Sequence, residues 1–208
     1  MSQTTRTPIR LKSGEQLICL EINKPSQVHA VLAASEGFHQ PITPALQVDV
    51  SEHLERCHFG LQFLQENGDI AGFALFKHFD DLLCGGGMMI RPAFQKSGLV
   101  GEAILRAREM THATYLAYRT QSPRMWAAGR KITSIWTPQP TGFYHPDLTE
   151  VRTRAAHHLR VTPTITPGFF GGALYGVKPM HADPVIQAWW DSLCSFENGD
   201  AVLCVGRF

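Results

Sequence analysis

The chain has 208 residues, a formal charge of +1 and 44% hydrophobic residues, the balance of a globular protein with room for one ordinary domain and its core, so one compact unit is expected. Without a basic excess to neutralise phosphate backbones, no nucleic-acid partner is indicated. No apolar run reaches the roughly 18 residues of a membrane helix, and five cysteines without a CxxC pair suit a reducing, cytoplasmic setting.

Residues 1–14 begin polar, with Arg6 and no apolar run, and read as a loose start that is neither signal peptide nor membrane anchor. The β-branched and leucine-rich run 16–22 (QLICLEI) is expected to be the first strand. Residues 26–34 carry Val28, Val31 and Leu32 at helical spacing behind Ser26, a candidate N-cap. Pro41 and Pro44 then break the chain, and a second helix is expected over 50–59, capped by Ser51, with Leu54 and His58 on one face. His53 and Cys57 stand four apart in it, the spacing of paired metal ligands, but no third ligand is near: they read as a surface histidine beside a half-buried cysteine, and no metal is expected.

Residues 61–65 and 70–79 are apolar, aromatic-rich runs joined by Glu66, Asn67, Gly68 and Asp69, and Asn-Gly between such runs predicts a hairpin. Asp80 and Asp81 make the next turn into an apolar strand over 82–90. Its three glycines, Gly85 to Gly87, weaken a strand and suggest a bulge or a close backbone approach. Pro92 lacks an N–H and biases Arg91 toward extended backbone, so the strand ends at Ile90. A helix can restart near Ser97 or Gly98, because Leu99, Val100, Ala103, Ile104, Ala107 and Met110 share one face and Glu102 stands four before Arg106. The amides from Gln95 to Val100 then lie at the positive end of a helix dipole, a ready phosphate site. Neither a P-loop nor the G-x-G-x-x-G of dinucleotide folds is present.

The run Ile90-Arg91-Pro92-Ala93-Phe94-Gln95-Lys96-Ser97-Gly98-Leu99-Val100 resembles the acetyl-CoA signature of the GNAT superfamily of acyl-CoA N-acyltransferases: an apolar strand end, one residue, Pro, two residues, Gln or Arg, two residues, Gly, one residue, and Gly or Ala. It departs at the last position, where Val100 stands and a glycine follows at Gly101. An ordinary strand, turn and helix of another α/β domain would fit these eleven residues as well. The order of elements favours the resemblance, since two early helices, a hairpin, a strand, the loop and a helix are what the superfamily implies over roughly residues 15–135. The fold implied is α+β, three layers with a mixed, mostly antiparallel central sheet flanked by helices and a C-terminal extension packed on it. The resemblance implies acetyl-CoA, or another acyl-CoA, as co-substrate. Its pantetheine would bond to the backbone of Met88, Met89 and Ile90, and its diphosphate to Gln95, Lys96, Ser97, Gly98, Leu99 and Val100.

Residues 114–120 alternate as the strand on the other side of the groove into which the resemblance implies that pantetheine inserts, followed by Ser122 as N-cap and Pro123 at the first helical position. Ser122 stands where the family commonly has an Asn that contacts pantetheine. Seven residues on, many members carry a Tyr that protonates the departing thiolate; here the position is Gly129, and the indole of Trp126 is no acid near neutral pH. Further along, 137–142 is a loop and 149–159 a helix capped by Thr149, in which His157 and His158 read as a solvated edge. The proline- and glycine-rich stretch 162–179 is a long shaped loop or a frayed edge strand, of the kind that is functional or pairs with a second subunit as a homodimer. Asp183 and Pro184 open a last helix bearing Val185, Ile186, Trp189, Trp190 and Leu193, and Asn198, Gly199 and Asp200 turn into a closing strand.

The activity implied is transfer of an acetyl or other short acyl group to an amine, of a small molecule or a protein, by direct attack on the thioester. A base must first deprotonate the ammonium. Glu66, Asp69, His78, Asp80 and Asp81 are candidates by location, and none has a partner that singles it out, so the catalytic residue is left open. The alternative from another class is a non-catalytic, CoA-binding module with an assembly or regulatory role. A serine hydrolase is disfavoured by the absence of a G-x-S-x-G elbow.

Overall fold

The computed structural model describes residues 5–11, 14–23, 25–142 and 145–208. Among them the strands are β1 (Thr5–Arg10), β2 (Gln16–Ile22), β3 (Phe59–Leu64), β4 (Ile70–Phe79), β5 (Leu82–Ile90), β6 (Tyr115–Thr120), β7 (Ile135–Thr137), β8 (Ile165–Thr166) and β9 (Ala201–Arg207). The helices are α1 (Gln27–Phe38), α2 (Pro44–Arg56), α3 (Leu99–Thr111), α4 (Pro123–Ile132), α5 (Thr149–Leu159) and α6 (Pro184–Leu193). The sheet runs β1-β2-β3-β4-β5-β6-β9-β7 with β8 on β9, mostly antiparallel and flanked by helices, as the resemblance implied. Contacts gather the chain into two compact units: residues up to Lys77 with Gly85–Met110, and His78–Cys84 with Thr111–Phe208.

In the first unit the first described element is a strand. Residues 5–10, expected to be loose, pair antiparallel with β2 from Thr5↔Glu21 to Arg10↔Gln16. An edge strand tolerates Pro8 and needs few apolar residues, and only Ile9 of β1 is buried, so its sequence carries no alternation to read. Residues 1–4 and 12–13 of the expected loose start lie outside the described ones. The expected hairpin forms, with β3 and β4 paired from Phe59↔Phe76 to Leu64↔Ile70. Gln65 N–H donates to Asp69 O at 2.8 Å around a three-residue turn in which Gly68 takes φ 89°, the left-handed step that glycine makes at little cost.

Both early helices depart from the expectation. In α1 the inward residues are Ala30, Val31, Ala33, Ala34 and Gly37, while Val28 and Leu32 face outward. Small residues let the helix lie close to the sheet, where a Cβ on Gly37 would collide with the Met89 side chain. Ser26 precedes α1 but makes no side-chain cap. α2 starts at Pro44, six residues before the expected start, because proline suits the first helical position and Thr43 Oγ1 caps the amide of Leu46 at 3.1 Å. Ser51 is mid-helix, donating to Gln47 O at 2.9 Å, and His58 lies beyond the end.

On α3 the buried residues are Leu99, Ala103, Ile104 and Ala107, while Met110 is exposed. Arg106 leaves Glu102 for tertiary partners: it donates to Glu21 of β2 (Nε–Oε1 2.8 Å) and Thr7 of β1 (2.7 Å), a forked grip that a neighbour on the same helix cannot offer.

In the second unit β5 and β6, parallel, pair from Leu82↔Tyr115 to Cys84↔Ala117, and the closing strand β9 lies antiparallel between β6 and β7. Tyr118, Trp126, Trp136 and Trp190 are buried, with Trp126 Nε1 donating to Pro138 O (2.7 Å) and Trp190 Nε1 to Gln121 O (3.0 Å). Thr149 is the first residue of α5 and not its cap, since a 3-10 turn at Pro146–Leu148 runs into it. His158 stacks on Phe79 with ring centroids 3.7 Å apart. Val185 of α6 is exposed and Trp190 carries its burial, under the cap that Asp183 Oδ1 makes on Val185 N–H at 2.8 Å.

Candidate functional site

The end of β5 is fastened before the chain turns. Arg91 N–H donates to Ala71 O (3.0 Å), while its guanidinium donates to Ile70 O through Nη1 (2.8 Å) and to Glu36 of α1 through Nε (2.6 Å). Pro92–Phe94 forms a single 3-10 turn that buries Phe94. Lys96 (φ 64°) and Gly98 (φ 92°) then take left-handed backbone, and the first bond into α3 runs from Glu102 N–H to Gly98 O at 3.1 Å. The preceding amides have no acceptor four residues back.

The run of free amides predicted from Gln95 to Val100 is interrupted at two positions. Gln95 N–H donates to Pro92 O at 3.2 Å, and Leu99 N–H faces Ser97 Oγ at 3.4 Å, a hydroxyl that itself donates to Phe94 O. The amides of Gly98 and Val100 meet no acceptor among the described residues. Exposed Lys96 and Gly98 leave this helix start open, with a cation beside it, the arrangement that holds an anion. The Gln95 side chain folds back, Nε2 donating to Ile90 O at 3.1 Å.

Upstream, β5 passes through Gly85, Gly86 and Gly87 as one unbroken strand. A Cβ on Gly86 would come no nearer than 3.5 Å to Leu75 O, and one on Gly87 no nearer than 3.6 Å to His53 Cδ2, both ordinary contacts. Neither glycine is demanded by packing or by a positive φ, so what their lack of side chains provides is bare, half-buried backbone next to Met88. Met89 and Ile90 are buried.

Over this bare strand lies a residue that the sequence reading took for a surface histidine. His53 belongs to the stripe Leu46, Val50, His53, Leu54, Cys57, whose other members are all buried. The spacing of three and four was legible, but a helix assigned to start at residue 50 hid its first turn and a half. His53 Nδ1 lies 2.8 Å from Asp49 O and 3.5 Å from the Asp49 carboxylate. Of the candidate bases named from the sequence, Glu66, Asp69 and Asp80 are exposed turn residues, Asp69 held by Asn67 Nδ2 at 2.9 Å. Asp81 pairs with Arg154 at 3.0 Å, and His78 is half-buried.

Ser122 sits in the second unit, whereas Met88 to Ile90 and Gln95 to Val100 share the first. It caps α4 as the Ser-Pro pair predicts, Oγ accepting from Met125 N–H at 3.4 Å, and it is buried together with Thr120 and Gln121. Gln121 explains that burial. Its Oε1 accepts from Leu174 N–H (2.9 Å) and its Nε2 donates to Phe196 O (3.2 Å), pinning the long 162–179 loop to the end of β6. Gly129 is buried as well, and a Cβ there would run into the Trp136 ring and the Tyr118 hydroxyl, which donates to Met125 O at 2.6 Å. Burial pushes the Tyr118 pKa well above that of a free phenol.

Solved structures match this chain over nearly its whole length. The ribosomal-protein-S18-alanine N-acetyltransferase of Escherichia coli aligns with TM-score 0.52 at 11% identity, covering 99% of this chain and 94% of that one. The IAA acetyltransferase of Bacillus cereus ATCC 14579 aligns with TM-score 0.50 at 11% identity, covering 92% and 99%. The fold is that of the GNAT N-acetyltransferases.

The GNAT likeness thus takes in residues 136–208, beyond the stretch of roughly 15–135 that the sequence motifs reached. Of a Pyrococcus horikoshii protein described as an acetyltransferase, the chain spans 45% of the length. Neither a protein-family model nor a curated protein sequence matches the chain. Among the described residues no helix is long and apolar enough to cross a membrane, and no three His, Cys, Asp or Glu side chains gather as a metal site.

Proposed function

We propose that the protein transfers an acetyl or other short acyl group from acyl-CoA to an amine by direct attack on the thioester. The observation that carries the proposal is the open start of α3, where left-handed Gly98 and the unpaired amides of Gly98 and Val100 meet the signature Gln-x-x-Gly on a GNAT fold. The diphosphate would be held by Gln95, Lys96, Ser97, Gly98, Leu99 and Val100, and the pantetheine by the backbone of Met88, Met89 and Ile90, with Ser122 as a further contact. Catalysis would come chiefly from holding amine and thioester in register and from a main-chain N–H near Met89 or Ile90 polarising the carbonyl. The acceptor is a small-molecule or protein amine; a ribosomal protein is the acceptor named for the Escherichia coli relative. No metal is required for this chemistry. In the chain, residues 15–135 would form the acyl-CoA-binding core of a cytoplasmic enzyme.

The second reading is a CoA-binding module without turnover, whose C-terminal part mediates assembly, as in a homodimer. The crowding at Gly129 favours it, because no proton-donating side chain fits at that position. Calorimetry with CoA, followed by thiol release from acetyl-CoA with a panel of amines, separates the two. Transfer predicts heat and turnover, binding alone predicts heat without turnover, and no heat removes both. Lys96→Glu sets a carboxylate, in place of an exposed cation, against the diphosphate and is expected to weaken CoA by about tenfold or more without touching the bonds that Ser97 makes at the helix start.

A further inference from the structure

Position 53 lies on the inward stripe of α2, three residues after buried Val50 and four before buried Cys57, yet it carries an imidazole that is 34% exposed. Both of its polar contacts are made by Nδ1, to the carbonyl and the carboxylate of Asp49. Nδ1 is 2.8 Å from Asp49 O, and a carbonyl only accepts, so Nδ1 bears the proton and the neutral ring keeps its lone pair on Nε2. Among the described residues nothing hydrogen-bonds that Nε2. The neighbouring ring atom, Cδ2, is the nearest atom to the place a Gly87 side chain would fill, at 3.6 Å. The basic edge of the ring therefore borders bare backbone, one residue from Met88.

We propose that His53 is the general base of the acyl transfer, an assignment that rests on the reading of Met88 to Ile90 as the thioester end of the acyl-CoA site. Nε2 takes one proton from the substrate ammonium, leaving a neutral amine. The amine nitrogen attacks the thioester carbon, forming the C–N bond, and the C–S bond breaks with its electron pair leaving on CoA sulfur. The second proton, lost from nitrogen as the amide forms, ends on that thiolate, and the proton on Nε2 passes to solvent. Reactants and products balance as ammonium plus acyl-CoA giving amide, CoA thiol and one proton. The helix carries Asp49, whose carboxylate is 3.5 Å from Nδ1, and Glu52 with Arg56, paired at 2.9 Å; the strand residues beside the ring, Leu75 and Gly87, are uncharged. Glycine at 87, which neither φ nor packing requires, then has a use: the place its side chain would take, 3.6 Å from the ring, stays open to the acceptor nitrogen.

The test compares wild type, His53→Gln, His53→Ala and Asp49→Ala as full-length protein. CoA release from acetyl-CoA is followed with spermidine, lysine and tyramine, which are protonated at neutral pH, and with hydroxylamine, which is largely unprotonated there. Both His53 variants are expected to lose about 100-fold or more in kcat/KM with the protonated amines, to stay within a few-fold of wild type with hydroxylamine, and to bind CoA unchanged. Asp49→Ala keeps the carbonyl that orients the ring and is expected to lose only a few-fold. Equal losses with both kinds of nucleophile, or no loss with either, would overturn the role of His53 while leaving acyl transfer standing. CoA binding by the wild type with no release to any amine would remove the transfer reading and the base with it.

Discussion

Asp200 carries the clearest electrostatic signature at the scale of single residues. Burial by itself would raise its pKa, but the N–H groups of Gly168 (3.0 Å) and Ser195 (3.0 Å) and the Asn198 amide (2.7 Å) all donate to the carboxylate and hold the pKa below the usual range. A folded-state pKa below the unfolded one contributes stability that is present above the unfolded pKa and lost as pH falls through the folded value. Asp200→Asn is expected to lower Tm near neutral pH, with the gap to wild type closing as pH falls below about 4. Thermal scans across that range read it out, and a gap independent of pH would mean the loss is one of packing. The same residue ties the 162–179 loop to β9, so what reads from sequence as a turn signal, Asn-Gly-Asp, is also an anchor for a distant segment. His53 was missed at this scale, because a histidine is polar in any pattern and only its neighbours show that it faces inward.

Among the elements, α2 shows how a boundary error propagates. Read with Ser51 as cap, the helix loses Leu46 from its stripe and His53 falls in the first turn; begun at Pro44, it has an inward face of Leu46, Val50 and Leu54. The two assignments predict different mutants. Thr43→Ala removes the acceptor for Leu46 N–H and should cost about 1 kcal/mol in urea unfolding. Ser51→Ala removes two exposed bonds, one to Gln47 O and one from Gln27 Nε2, and should stay within about 0.5 kcal/mol. β1 illustrates the opposite limit, since an edge strand pairs on one side and leaves almost no apolar trace in its sequence.

Across the whole molecule, all five cysteines are buried and none is in a disulfide, and they are distributed from β2 to β9. Burial pushes the Cys19 thiol up to about 12, against the pull of Arg106, and Cys194 up to about 12 with Asp200 adding in the same direction. Such thiols are poor nucleophiles. The native protein is expected to react only slowly with a disulfide reagent at pH 8, and all five thiols to titrate after unfolding in guanidinium. A fast-reacting thiol in the native state would show that one of these cores opens.

The sequence by itself determined the hairpin, the strand that stops at Pro92, the Ser122-Pro123 helix start and the order of elements that suggested GNAT. Each of these depends on residues adjacent in the chain: Asn-Gly for a turn, proline for a lost N–H, a side-chain oxygen two or three residues before an amide. Tertiary structure alone decided that β9 enters between β6 and β7, that Arg106 serves Glu21 and Thr7, that Gln121 holds Leu174 and that His53 borders Gly87. Those pairings join residues tens of positions apart, and no local propensity encodes them, because their energy arises only when the intervening chain has already been folded around them.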